Sequence, residues 1–372
     1  MDDKRYIWLD GIRGVSAILV CAGHLRAGLF DNYSSLKDQS DILVKLFYFI
    51  TSLGHESVVF FFVLSGFFVG GSLVEKRNNM FSFLEYIIVR VSRLWVVLLP
   101  ALFFTYIMDF FIADSITNGQ YSNILNSGPK SDYSIDIATF LYNLFFLQTI
   151  ISPVYGTNGP LWSLANEFWY YITFPLLLVS LKILKISSSN LLLYRILTAL
   201  ILVFIAQYNL LEGFIIWFFG VAVYILNKRI LIISNFIKVI VLFQFLICIL
   251  TFSLFKISDI YLAASFSSAL LVVLKLKNEF LKNFKVDKIF IFISEISYSL
   301  YLVHFPIVML IFYRNGFSKI EFNTYGVILY LLNMLLLIFI SYIFWILFES
   351  KSRKVRDFML SAYGKIRKST LN

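Results

Sequence analysis

The chain has only three histidines, His24, His55 and His304, and all lie in or at the ends of apolar segments. A neutral imidazole is a competent base near physiological pH, so a histidine held among apolar residues is a candidate proton acceptor. His24 closes the stretch LDGIRGVSAILVCAGH, eleven residues after Arg13. At about 100° per residue, eleven positions return to nearly the same helix face roughly 16 Å further along the axis. Arg13 and His24 therefore line one stripe, and Asp10, three residues before Arg13, is placed to pair with it. Arg13 also has a plainer reading, as an arginine whose stem snorkels at a membrane boundary. His24 lies well inside the outer half of its segment, where an ionisable group is a functional candidate. Glu167, in NGPLWSLANEFWYY, and His304 reach a similar depth. One polar residue at that depth is readily satisfied by a neighbouring helix, whereas several at one level are better explained by a shared polar cavity.

A second constellation sits at the opposite level. Arg90 and Arg93, in VRVSRLW, share a helix face, and a guanidinium can bind phosphate through two hydrogen bonds. The preceding apolar segment ends in FFFVLSGFFVGG, where Ser65, Gly66, Gly70 and Gly71 permit close backbone approach or helix packing. Paired arginines at such a boundary commonly act only as topology signals. Combined with Arg13 they would form a basic pocket for a phosphorylated ligand. Cys21 and Cys248 lie inside apolar segments without metal-ligand spacing, so neither a disulfide framework nor a metal site is expected.

The elements that must position these residues are membrane spans. A composition that is 59% hydrophobic and 15% charged, with mean hydropathy +0.82, is that of a polytopic membrane protein in a lipid bilayer. The net charge of +10 is scattered in short clusters between apolar runs, which argues against nucleic acid as a partner. About 20 apolar residues are needed to cross a bilayer as a helix. Ten segments qualify, near 9–29, 52–74, 93–113, 159–181, 192–208, 212–227, 231–254, 258–275, 289–313 and 325–348. The first is read as a retained span rather than a cleaved signal peptide. Segment 137–152 is too short for a span and reads as interfacial or re-entrant. With the N-terminus inside, the cytoplasmic connections carry 23 Lys and Arg against seven outside. The expected fold is an all-α, polytopic transmembrane helix bundle of about ten spans with both termini cytoplasmic. Residues 1–350 form the membrane domain and 351–372 a basic cytoplasmic tail suited to solvent or anionic lipid. Residues 114–136, rich in Ser, Asn, Gly and Asp, read as an outside loop. No internal repeat and no appended soluble domain is expected.

Five strings then carry a resemblance. LDGIRGVSAILVCAGH with its R-x10-H spacing, FFFVLSGFF, RVSRLWVVLLP, LWSLANEFWYY and ISYSLYLVHFPI occur in this order from residue 8 to about 307. Together they resemble the membrane acyltransferases of family 3, which contain O-acetyltransferases of bacterial surface polysaccharides. The resemblance implies ten or so transmembrane helices in the bacterial plasma (inner) membrane. It also implies an acyl group, usually acetyl, taken from cytoplasmic acetyl-CoA and delivered to a glycan or lipid-linked oligosaccharide hydroxyl. His24 would be the essential histidine with Arg13 as its partner, and Glu167 the acidic member of the catalytic set. Arg90 and Arg93 match the motif associated with acyl-CoA, and Arg13, Ser65 and Gly66 join them as candidate donor-binding residues. His304 matches the family's late histidine, for which a structural role is one reading. The chain departs from the pattern at His55-Glu56, where glycine and small residues are more usual, and at Lys351, where a proline is usual.

Acyl transfer to an alcohol needs a base beside the hydroxyl, and His24 is the expectation. Glu167 would orient an imidazole or the acceptor, and Tyr170, Tyr298 and Tyr301 are either hydroxyl relays or packing residues. Two other readings stay open: transfer of succinyl or another acyl group to a lipid-linked sugar, and a secondary transporter with His24, Glu167 and His304 as midplane sites.

Overall fold

The computed structural model describes residues 7–36, 41–112, 133–186, 190–255, 258–276 and 287–369. Among the described residues the chain is helical, with isolated bridges but no strand. In chain order the main helices are α1 (Ile7–Leu29), α2 (Ile42–Ser52), α3 (Gly54–Ser65), α4 (Gly71–Glu75), α5 (Phe83–Phe110), α6 (Ile137–Leu144), α7 (Leu161–Ser180) and α8 (Leu191–Gln207). They continue as α9 (Leu211–Arg229), α10 (Asn235–Phe255), α11 (Asp259–Leu274), α12 (Asp287–Glu295), α13 (Ser297–Arg314), α14 (Thr324–Leu347) and α15 (Ser352–Ser369). Short polar side chains set several starts. Asp41 accepts from the backbone N–H groups of Leu43 and Val44, Asp136 from Thr139 and Asn323 from Gly326, satisfying donors that a first helical turn leaves open.

A helix occupies each of the ten apolar segments. Six runs are long and apolar enough to cross a membrane: Ile7–Leu29, Ile42–Glu75, Phe83–Phe110, Leu211–Arg229, Asn235–Phe252 and Thr324–Lys365. The α12–α13 pair, broken at Ile296, makes a seventh if taken as one bent span. α8 and α11 are apolar but shorter, and α7 has twenty residues yet carries Asn166 and Glu167. This is a helical membrane protein. Segment 137–152 is the two-turn α6 followed by turns. Most of the loop expected at 114–136 lies outside the described residues, as do Lys4, Arg5, Lys37, Lys130, Lys256, Lys277, Lys282 and Lys285 of the charge count. The basic segment after residue 350 is a helix, α15, packed on α5.

The chain divides into two compact units. The first comprises Met1–Ser16, His55–Ser82 and Asn166–Ser294, and the second Ala17–Gly54, Phe83–Ala165 and Glu295–Asn372. In the first, a π-helical turn, Gly66–Gly70, joins α3 to α4 and packs on α9. A Cβ on Gly66 would meet the Trp217 carbonyl oxygen at 1.8 Å, and one on Gly220 would meet that of Val63 at 1.8 Å. Only glycine allows this backbone contact, the small-residue packing favoured where no hydrophobic drive separates helix from lipid.

In the second unit α13 packs between α5 and α14 and buries most of its length. Glu349 accepts from the Ser299 N–H at 3.0 Å and its hydroxyl at 2.6 Å, placing a carboxylate at the positive end of α13. At the C-terminal end of α1, Lys319 donates to the Ala27 carbonyl and the Ile320 N–H to that of Leu29, so two open carbonyls are satisfied. Burial pushes the Lys319 ammonium below the ordinary lysine range.

Candidate active site

His24 on α1 and His304 on α13, both in the second unit, are hydrogen-bonded from Nδ1 to Nε2 at 2.8 Å. The rings are within 7° of coplanar with centroids 5.1 Å apart, about what a hydrogen bond plus two ring radii span. They therefore meet edge to edge, and Phe305 closes on His24 at 87°. The proton positions follow from the other contacts. His304 Nδ1 lies 3.0 Å from the Leu300 carbonyl oxygen and 2.9 Å from that of Tyr301. A carbonyl only accepts, so His304 carries its proton on Nδ1 and offers a lone pair at Nε2. His24 Nδ1–H must then be the donor, which leaves the His24 Nε2 lone pair for chemistry. His304 is fully buried, whereas His24 keeps partial exposure. The buried ring orients the accessible one, as in the base-and-orienter arrangement of nucleophilic enzymes.

The segment that carries His304 is itself held by a loop. Pro306 lies inside α13 and has no N–H, so the Leu302 carbonyl four residues earlier loses its helical partner. Asn158 fills the gap: its side-chain N–H donates to Leu302 O at 2.9 Å and to Thr105 Oγ1 at 3.0 Å. The neighbouring Thr157 donates its N–H and its hydroxyl to the two oxygens of Asp109, each at 2.7 Å. Gly156 stands at φ +56°, where a Cβ would lie 2.1 Å from an Asp109 oxygen. Tyr301 is tied to the same loop through Ser163 at 2.6 Å and the Pro160 carbonyl at 3.3 Å. Asp109 and Asn158 are absent from the sequence-based candidates. A lone acid in LFFTYIMDFF was the available signal for Asp109, and an asparagine beside Gly159-Pro160 reads only as turn chemistry.

The first unit holds three further polar groups. The Arg13 guanidinium donates to Ser294 Oγ, which in turn donates to Asp10 at 2.9 Å, and Asp10 lies 3.4 Å from Arg13. The expected Asp10–Arg13 pairing is present. Gly14 lets α12 approach, since a Cβ there would sit 2.3 Å from Ile293. The second group is a directed chain: Trp217 Nε1–H donates to Ser65 Oγ at 3.1 Å, Ser65 is 3.2 Å from the Tyr171 hydroxyl, and Tyr171 donates to Glu167. Ser65 and Glu167 are thus joined through Tyr171, one helical turn beyond Glu167. His55 Nε2 lies 2.9 Å and 3.0 Å from the two oxygens of Asp259, with its ring stacked on Phe252.

Arg90 and Arg93 are on α5 in the second unit. The Arg90 guanidinium lies 5.4 Å over the Tyr86 ring, and Arg93 is exposed. Arg13, Ser65, Gly66 and Glu167 belong to the first unit, and His24, Arg90 and Arg93 to the second. Of the tyrosines, Tyr170 donates to Leu210 O and Tyr298 to Leu94 O, both at 3.1 Å, which gives them packing roles.

The sequence profile of a family described as an acyltransferase domain matches residues 6–349, and the chain belongs to that family. It is similar to "Acyltransferase MdmB" of Streptomyces mycarofaciens, 29% identical over 168 residues, covering 45% of this chain and 38% of the relative. It is also similar to an uncharacterized protein of Haemophilus influenzae, 32% identical over 125 residues, covering 32% of this chain and 47% of the relative. The match spans less than half the length of either relative. No solved structure matches the chain significantly.

Proposed function

We propose that this acyltransferase-family protein moves an acetyl group from cytoplasmic acetyl-CoA to a hydroxyl of a cell-surface polysaccharide sugar, with His24 as the base. The direction of the hydrogen bonds in the histidine pair supports this most, because it leaves His24 Nε2 with a free lone pair. His24 takes the proton of the sugar hydroxyl while that oxygen bonds to the thioester carbonyl carbon. The carbon–sulfur bond then breaks, and the departing thiolate takes the proton back from the imidazolium. As His24 becomes cationic its bond to His304 becomes charge-assisted, so it is stronger in the transition state than before. Arg13, Arg90 and Arg93 hold the phosphates of the donor through guanidinium groups. Ser65 and Gly66 line its thin arm, and Glu167, already holding Tyr171, orients the acceptor.

All ten helical segments cross a bacterial inner membrane, with both termini in the cytoplasm, as the asymmetry of Lys and Arg favours. The donor then approaches the Arg13 end of α1, and His24 lies about 16 Å deeper.

The test is transfer of radiolabelled acetyl from acetyl-CoA to the host's surface glycan in membranes holding wild type or His24→Ala. Ester-linked label with wild type and none with the variant, at equal accumulation, is expected. Equal labelling by the variant would overturn the base assignment. Host glycan acetylation unaffected by deletion of the gene would overturn the acceptor.

A further inference from the structure

Between α5, α13 and α14 of the second unit runs a groove of about 430 Å³, lined chiefly by Phe104, Met108, Ile307, Ile311, Leu336 and Ile340. Its rim at the end of α13 is different in kind. Arg314 and Asn315 both line it. Arg314 is exposed and makes no hydrogen bond or ion pair among the described residues, and the side-chain N–H₂ of Asn315 is buried without an acceptor. A cation and an unanswered amide donor at one end of an apolar groove match a phosphate joined to hydrocarbon.

The size bounds how much hydrocarbon the groove can seat. At the roughly 30 Å³ that a water-sized group occupies in a liquid, the groove holds about fourteen such groups. That accommodates a stretch of one chain, whereas paired chains would be limited to about seven groups each. Position points the same way. Arg314 lies ten residues beyond His304 on α13, about 15 Å along the axis, a separation that a sugar attached to the phosphate would bridge.

We propose that this groove seats the carrier of a lipid-linked sugar acceptor, with its phosphate at Arg314 and Asn315 and its single hydrocarbon chain between α5, α13 and α14. The identity of the cargo rests on the acyl-transfer reading above; the affinity for a single-chain lipid phosphate does not.

The full chain in nanodiscs is offered a polyprenyl monophosphate in competition with phosphatidylglycerol, and the retained lipid is identified by native mass spectrometry. Wild type is expected to retain the polyprenyl phosphate preferentially. Arg314→Gln should weaken retention about tenfold, the scale of one charge-assisted contact, and Leu336→Trp should abolish it by filling the groove. Both variants are first shown to unfold at the wild-type temperature. Equal retention of the two lipids, or retention indifferent to both substitutions, would overturn the proposal. Thioester cleavage by the unaltered protein, measured in parallel, separates the two readings. Selective retention without any cleavage supports the groove and counts against acyl transfer; cleavage without selectivity does the reverse.

Discussion

His24 and His55 each meet a partner more than two hundred residues away, yet the two pairs leave their rings in opposite conditions. His55 directs Nε2 at both oxygens of Asp259, which can only accept, so that nitrogen is engaged as a donor. The pair is open to solvent, with side-chain exposures of 55% and 30%. His24 instead donates through Nδ1 to a neutral, fully buried ring, and its Nε2 remains an acceptor. The partner's chemistry, more than the histidine's depth, decides which nitrogen can work as a base. A carboxylate partner takes a proton donor, whereas an imidazole anchored on backbone carbonyls specifies a tautomer.

Substitutions at five positions probe that contrast. His24→Ala should lower transfer by about 10²- to 10⁴-fold, the range for losing a general base, in a steady-state assay with saturating donor. His304→Ala should cost about 100-fold, chiefly in kcat, because a misplaced base is still a base. His304→Gln should recover part of this, since its amide oxygen still accepts from Nδ1–H of His24. No difference between Ala and Gln would break the orienting role. Asn158→Ala leaves the Leu302 carbonyl unpaired and should destabilise the protein by about 1–3 kcal/mol, read as a lower unfolding temperature. Adding Pro306→Ala returns a backbone N–H to that carbonyl and should restore most of the loss; failure to restore it would show that the Leu302 bond is not the link. His55→Ala should change stability by less than about 1 kcal/mol, as for other exposed ion pairs, and leave transfer unaltered.

Hydropathy makes the ten helices legible because each apolar run must satisfy its own backbone in lipid. Spacing within one helix is equally legible: Asp10 with Arg13, and Tyr171 one turn after Glu167, need only the helical repeat. Depth along a span puts His24 and His304 at one level, but not face to face. That contact joins residues 280 apart, and no local pattern specifies which helices become neighbours. Pro306 announces an open carbonyl at Leu302, yet the side chain that closes it comes from a distant loop. In the chain leading to that loop, Phe146 and Thr149 adopt φ of 59° and 66°. Neither residue type favours the left-handed region, so tertiary contacts must impose it.

The position of one proton decides whether His24 can serve as the base. With only three histidines in the chain, ¹⁵N-histidine labelling and solid-state NMR in bilayers, assigned with His55→Ala and His304→Ala, can resolve each ring. The expected result is that His24 is protonated at Nδ1, coupled to an unprotonated Nε2 of His304, with its own Nε2 bare. A proton on His24 Nε2 in the resting protein would contradict it.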